Sequence, residues 1–399
     1  MGELLRLHAA AIDKLKAEVG TAELERSGLD EIALLRYVLS YKEEYGNAAK
    51  AIKERSDWRE ANADLVQCVR DGKGPEELFS KKDYAALSKF VVVGQWPTLL
   101  GGVQPLFVVR AGLSNTKELM QQVEPETMQK FMLFHRERIF QQIDKATRET
   151  KRLVKSYTVN DLNFVSVSNM QDKRFSKALG GASAMSEKMY PQMLEAAVMI
   201  NVPRIFAALF SFFKLFLPKR TLAKIKVCPG RTLTQPLSKC PFVRARGLAA
   251  EELPVFLGGT GTTPDGYFGG VPLQATAMAD AVGPDGLATK VVKAGKRAEV
   301  VYPVTSAGCV FMYELEVEAH GIQAEALFVP EQGPEVALVP MFKHKAEGGP
   351  AKGRVKVPGT SGVVKLVLDN SYSYTTAKTV RYDASVVDGD VAQHLEADT

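Results

Sequence analysis

The sequence predicts a multidomain chain: an α-helical N-terminal module, an α/β domain on a mostly parallel sheet, and an all-β sandwich towards the C-terminus. Three observations carry this. Apolar residues recur at helical spacing through residues 1–65. Short β-rich runs then alternate with long helical stretches as far as Val227. From about Thr289 short strand-like runs follow one another with turns between them. With 399 residues the chain has room for two or three domains.

In the first region Ile32, Leu35 and Leu39, then Ala48, Ala49 and Ile52, lie on helical faces, and Asn47 is placed to cap the second run. Between Lys89 and Val227 the expected strands are Phe90–Val93, Leu106–Val109, Tyr157–Val167, Ala196–Ile200 and Leu222–Val227. The expected helices between them are Glu124–Lys155 and Lys173–Met189. Strands alternating with helices imply a largely parallel sheet. The glycine-rich stretch Gly258–Gly270 reads as a loop or linker. After it come strand-like runs at Val291–Val292, Ala298–Val304, Cys309–Val317, Val336–Phe342, Arg354–Val357, Val363–Leu368 and Thr379–Val387. Many short strands and few helices suggest a β-sandwich. Ser371 to Tyr374 alternate as a strand with one packed face would. The acidic residues from Asp388 onward form a loose tail.

A net charge of +5, without a dense Lys/Arg stripe interleaved with aromatics, argues against nucleic acid as a partner. It leaves room for weak attraction to anionic membrane surfaces. Cys68, Cys228, Cys240 and Cys309 show no CxxC spacing, so neither a disulfide framework nor a zinc site is expected, and a reducing compartment is the natural reading. The N-terminus has no uninterrupted apolar core of the secretory kind.

The segment Ile205–Leu217, IFAALFSFFKLFL, is apolar on two faces. Ile205, Leu209, Phe212 and Phe216 form one stripe, and Phe206, Phe210, Phe213 and Leu217 a second. As a helix it is roughly 20 Å long, too short for a bilayer span. A surface helix needs one apolar face. Two faces mean either a wholly buried core helix or a helix with a lipid, membrane or partner on its second side.

Enzymatic motifs are missing. Gly259-Thr260-Gly261 lacks the third glycine of a dinucleotide fingerprint, and Gly348–Arg354 lacks the ending of a phosphate loop. The histidines, His8, His135, His320, His344 and His394, are far apart, with no metal-ligand spacing. No catalytic residue, metal or cofactor is expected.

Several motifs in order resemble a known family. Leu34–Trp58 looks like the helical module that precedes CRAL-TRIO lipid-binding domains. Tyr190-Pro191, then Met199-Ile200-Asn201-Val202-Pro203, resemble that domain's Tyr-Pro…Ile-Ile-Asn-Ala-Pro signature, with the Phe-rich segment at the family's spacing. Leu253-Pro254-Val255-Phe256-Leu257-Gly258-Gly259 resembles its closing motif. Leu366–Val387 is similar to the Asp-Asn-Ser-Tyr-Ser end of a GOLD domain. The arrangement resembles the supernatant protein factor and patellin type. It implies a helical module at residues 1–85, a CRAL-TRIO domain with a hydrophobic lipid pocket at 86–260, a linker at 261–285, a GOLD β-sandwich at 286–388 and a tail at 389–399.

The function implied is a cytoplasmic, peripherally membrane-associated carrier that encloses one lipid behind a mobile gate helix, matched here by Ile205–Leu217. The alternative is a lipid-regulated trafficking adaptor working through a protein partner of the GOLD domain. Ser156 and Thr158 match a Ser-x-Thr pair that faces a choline-lipid phosphate in fungal phosphatidylinositol/phosphatidylcholine transfer proteins, and would equally suit an ordinary strand. Trp96 and Phe107 match two tyrosines of that choline site, and would equally suit a core. The inositol-phosphate site departs from the family. Gln192 and Met193 replace Glu-Arg, Pro218 replaces Asp, and Lys224 alone matches. Phosphatidylcholine, a sterol-like lipid or an isoprenoid is therefore expected as ligand rather than phosphatidylinositol. Lys343, His344, Lys345, Lys352, Arg354 and Lys356 read as a basic patch or a solvated loop.

Overall fold

The computed structural model describes residues 1–97, 99–162, 172–202, 217–228, 250–253, 259–261, 287–304 and 307–387. Six helices come first: α1 (Gly2–Leu7), α2 (Ala9–Val19), α3 (Thr21–Ser27), α4 (Glu31–Tyr41), α5 (Tyr45–Ala61) and α6 (Ala63–Arg70). Asp30 starts α4 by accepting a hydrogen bond from the Ala33 backbone N–H at 3.0 Å. Ile12, Leu15, Leu34, Leu35, Ala48 and Ile52 form a buried core between α2, α4 and α5. Asn47 is not the cap of α5. Glu44 holds that position, and Asn47, one turn in, donates to its Oε2 at 2.9 Å.

Helix α7 (Lys81–Phe90), capped by Ser80, absorbs the start of the first expected strand. Ala86, Leu87 and Phe90 share a buried helical face, which keeps Phe90 in the helix, and the chain turns extended only at Val91. Only Val93–Gln95 pair, as β1. Then come β2 (Leu106–Arg110), α8 (Thr116–Gln122), α9 (Pro125–Thr150), β3 (Ser156–Asp161), α10 (Lys173–Met189), β4 (Leu194–Ile200), α11 (Lys219–Leu222) and β5 (Ile225–Val227). The expected strand Leu222–Val227 thus splits. Pro218 opens a helical turn, Thr221 ties it to Glu187 of α10 at 2.9 Å, and only the last three residues pair. The expected Tyr157–Val167 strand is seen to Asp161, and its end lies outside the described residues.

The sheet runs β1-β2-β3-β4-β5, with β1 antiparallel to β2 and all other pairs parallel. Its two faces differ. Phe107 of β2 packs with helices α7 to α10 around Leu119, Phe131, Ile143 and Phe175. The opposite face presents Leu106, Val108, Tyr157, Val159, Ala196 and Val198, with Trp96, Leu100 and Leu253 against them. Leu253 lies in the closing motif, where Gly261 N–H donates to its carbonyl at 2.9 Å. A Cβ on Gly259 would overlap the Leu253 and Ala250 carbonyl oxygens, which is why glycine stands there.

Residues 288–387 form two four-stranded antiparallel sheets. The strands are β6 (Ala288–Val292), β7 (Arg297–Val304), β8 (Val310–Val317), β9 (Gly321–Pro330), β10 (Val336–Lys345), β11 (Ala351–Lys356), β12 (Gly362–Asp369) and β13 (Lys378–Val387). The sheets, β10-β9-β12-β7 and β11-β8-β13-β6, share a core of Phe311, Leu315, Ala324, Phe328, Leu366 and Tyr382. The runs expected from the sequence omit β9. In the sheet its Ala324 and Ala326 fill the buried face between β10 and β12. Ser371 to Tyr374 are a turn rather than a strand. Asp369 Oδ1 accepts from Ser371 N–H at 2.7 Å, and the buried Asn370 amide donates to the Val292 and Thr376 carbonyls. Lys343, His344 and Lys345 lie in β10, and Lys352, Arg354 and Lys356 in β11, so they are strand residues and not a loop.

Cys68 and Cys309 are buried and outside any disulfide. Cys228 is disulfide-bonded, which corrects the reading of the cysteines as unpaired. Spacing in sequence cannot show which thiols the fold brings together.

Candidate functional site

Three of the expected ligand residues lie along the N-terminal edge of the parallel strands. Ser156 opens β3, Gln192 immediately precedes the turn into β4, and Lys224 immediately precedes β5. Parallel strands begin along one edge of a sheet, so residues just before them converge. Ser156 Oγ is committed, donating to the Met193 carbonyl at 3.0 Å. Gln192 adopts a left-handed backbone (φ 57°). Its amide donates to Ser40 Oγ at 3.0 Å and its carbonyl accepts from Arg36 at 3.5 Å. The edge of the sheet is thereby tied to α4.

Lys224 is not a lone cation there. Burial lowers its pKa, and the nearby Lys155 and Arg220 lower it further, while Glu187 opposes them. Burial also lowers the pKa of Lys155, with Arg36 adding to it. Arg36 is fully buried, donates to Thr147 Oγ1 at 2.8 Å and lies 5.5 Å from the Phe140 ring centre. Sequence reading missed Arg36, Lys155 and Arg220. The available signal was position: Lys155 directly precedes the strand that begins at Ser156.

Thr158 lies one pleat further in, paired in register with Phe107 on one side and Ala197 on the other. Its row therefore faces the helices. Thr158 is 5 % exposed, and its hydroxyl has no hydrogen-bond partner among the described residues. Phe107 packs against His135 of α9, ring centres 5.6 Å apart, with the Arg136 guanidinium 5.5 Å from its own ring. Trp96 is buried on the opposite face, so Trp96 and Phe107 do not form two walls of one cage.

Along the helix-side face, burial falls off towards β5. Ala197 is buried, Met199 and Ile225 are half-buried, and Val227, paired with Met199, is 42 % exposed. At the other end of the strands Asn201, with a left-handed backbone (φ 55°), donates to Asp161 Oδ1 at 2.6 Å. Arg110 donates to the other oxygen of that carboxylate at 3.3 Å. This clamp sits directly before the Phe-rich segment. Of that segment only Leu217, half-buried, is described; Ile205, Phe206, Leu209, Phe210, Phe212, Phe213 and Phe216 lie outside the described residues.

Among the described residues no group of three or more His, Cys, Asp and Glu side chains could hold a metal ion. No described helix is long and apolar enough to cross a membrane.

Residues 103–259 match the CRAL/TRIO domain model. The SEC14 cytosolic factor of Eremothecium gossypii is 26% identical over 260 residues, covering 65% of this chain and 78% of that protein. The Sec14 cytosolic factor of Schizosaccharomyces pombe is 24% identical over 273 residues, covering 66% of this chain and 86% of that protein. The solved structure of Sfh5 is 20% identical with a TM-score of 0.39, covering 50% of this chain and 65% of that one. The central region, similar to a CRAL/TRIO domain, is an α/β unit on a mixed sheet, followed by a separate all-antiparallel β region.

Proposed function

We propose that this chain, whose residues 103–259 match the CRAL/TRIO domain, encloses a single lipid and exchanges it at membranes. One observation carries the reading. On the helix-side face of the sheet, half-buried apolar side chains of β4 and β5 lie beside Thr158, a buried hydroxyl without a partner among the described residues. An apolar opening with a few polar groups at its inner end suits a molecule with a hydrocarbon tail and a polar head.

Topology supports the placing of the gate. Strands β2, β3, β4 and β5 follow in order and in parallel, and such crossovers are right-handed in about 98% of cases. The β2–β3 and β3–β4 crossovers carry α9 and α10 on the helix side. Ile205–Leu217 falls in sequence between β4 and β5. A gate made from it would offer one apolar stripe to the lipid and the other to a membrane.

Energetics explain why a gate is needed. At about 0.8 kcal/mol per buried methylene, a two-chain lipid with about 30 of them loses roughly 25 kcal/mol on entering water. A cavity that opens only at the membrane replaces most of that lost environment, and gate movement then limits the rate.

For the headgroup, Lys155, Lys224 and Arg220 favour a phosphate. Gln192 is engaged with Ser40, which leaves no carboxylate in its place for inositol hydroxyls. Phosphatidylcholine therefore suits the site better than phosphatidylinositol, a sterol-like lipid or an isoprenoid. The eight-stranded sandwich, in its GOLD reading, would serve protein contacts or membrane association. Native mass spectrometry of the protein as expressed tests the ligand. A phosphatidylcholine adduct is expected, whereas a dominant phosphatidylinositol adduct or a ligand-free protein would overturn the assignment.

A further inference from the structure

A cleft of about 500 Å³ lies between α5, α6 and α9, well within the size of a small-molecule site. Its lining includes Arg55, Arg59, Arg70, Glu137, Asp144 and Arg148. With Lys145 and Glu149 counted, five cations face three carboxylates. The carboxylates are taken. Both oxygens of the buried Glu137 accept from Arg59 Nη1 at 2.9 Å. Asp144 accepts from Arg148 at 2.8 Å, and Glu149 lies 3.9 Å from Lys145.

Arg55 and Arg70 are left over. Arg55 is only 9 % exposed, yet its guanidinium makes one long hydrogen bond, 3.5 Å from Nη1 to the Ser27 carbonyl. Arg70 is exposed and has no hydrogen bond or ion pair among the described residues. A guanidinium this buried without a carboxylate is costly. Burial lowers the Arg55 pKa, and Arg59 adds to the effect against the opposing pull of Tyr37, Glu137 and Tyr190. A bound anion would remove that cost.

We propose that this cleft is a second binding site, for a phosphate-bearing polyanion gripped by Arg55 and Arg70. Planar guanidinium groups match phosphate oxygens two at a time, which suits a phosphoryl group entering between two helices. The phosphate can come from a soluble ester or from a lipid headgroup. The site stands apart from the lipid-exchange reading.

The test uses the whole chain in four forms: parent, Arg55→Gln, Arg70→Glu, and Lys14→Glu, a charge-matched change on exposed α2 outside the cleft. Calorimetry with inorganic pyrophosphate probes soluble phosphate. Flotation with phosphatidylinositol bisphosphate vesicles against plain phosphatidylcholine vesicles probes the headgroup. We expect Arg70→Glu and Arg55→Gln to weaken binding about tenfold or more, and Lys14→Glu to leave it unchanged. Loss confined to pyrophosphate assigns a soluble ligand, and loss confined to vesicles assigns a headgroup; both support the site. Absence of binding to the parent, equal binding by all forms, or equal weakening by Lys14→Glu would overturn it. Arg70 is exposed, so its variant reports even if Arg55→Gln misfolds.

Discussion

Thr158 keeps a hydroxyl in the interior with nothing in the described protein to bond it. Leaving a buried hydroxyl unpaired costs about 1–3 kcal/mol, so a ligand group that pairs with it is a ready explanation. Thr158→Val keeps the shape and removes the oxygen. Its thermal stability without lipid should equal or slightly exceed that of the parent, while phospholipid affinity falls several-fold. A variant that loses stability and keeps lipid affinity would make Thr158 an ordinary strand residue. Arg36 makes the opposite case. It links α4 to Thr147 of α9 and to the Gln192 carbonyl, with no exposure. Arg36→Ala should cost about 3 kcal/mol in urea denaturation, and Arg36→Met less, because its chain still fills the space beside Phe140. Equal losses would mean that packing by the Arg36 stem contributes nothing.

At the scale of elements, β8 and β13 place Glu314 directly opposite Asp383, both buried. Burial, then the charge of Glu314, pushes the Asp383 carboxyl up to about 7 from 3.8. The folded chain therefore holds a proton between about pH 4 and pH 7 that the unfolded chain has lost, and stability falls as pH rises through that window. Asp383→Asn removes the penalty. It should gain up to about 4 kcal/mol over the parent at pH 8 and little at pH 4. A gain independent of pH would contradict the assignment. The Phe-rich segment gives a second test at this scale. Phe213→Asp or Phe216→Asp should slow lipid exchange without changing the fold, because a charge opposes either membrane insertion or closure over the cavity. Exchange as fast as the parent's in both variants would exclude the segment as a gate.

For the whole molecule, the order of helical module, α/β domain and β-sandwich was legible because each region has its own apolar period. Helix α10 matches its expected bounds because Asp172 caps it and the Tyr190-Pro191 pair ends it. Strand β9 was hidden because two of its central buried positions are alanines, Ala324 and Ala326, whose weak β preference is overridden by neighbours on both sides. The site was less legible than the fold. Ser156, Gln192 and Lys224 do share an edge, yet Trp96 and Phe107 fall on opposite faces, since β1 and β2 pair Gln95, not Trp96, with Phe107. The cationic company of Lys224 comes from residues distant in sequence, which spacing cannot reveal.

The most direct test of lipid carriage is a vesicle-to-vesicle transfer assay with the whole chain and labelled phosphatidylcholine. Substoichiometric protein should move many lipids per molecule. Uptake that stops at one lipid per chain, with no delivery to acceptor vesicles, would contradict it and leave a lipid-sensing adaptor in its place.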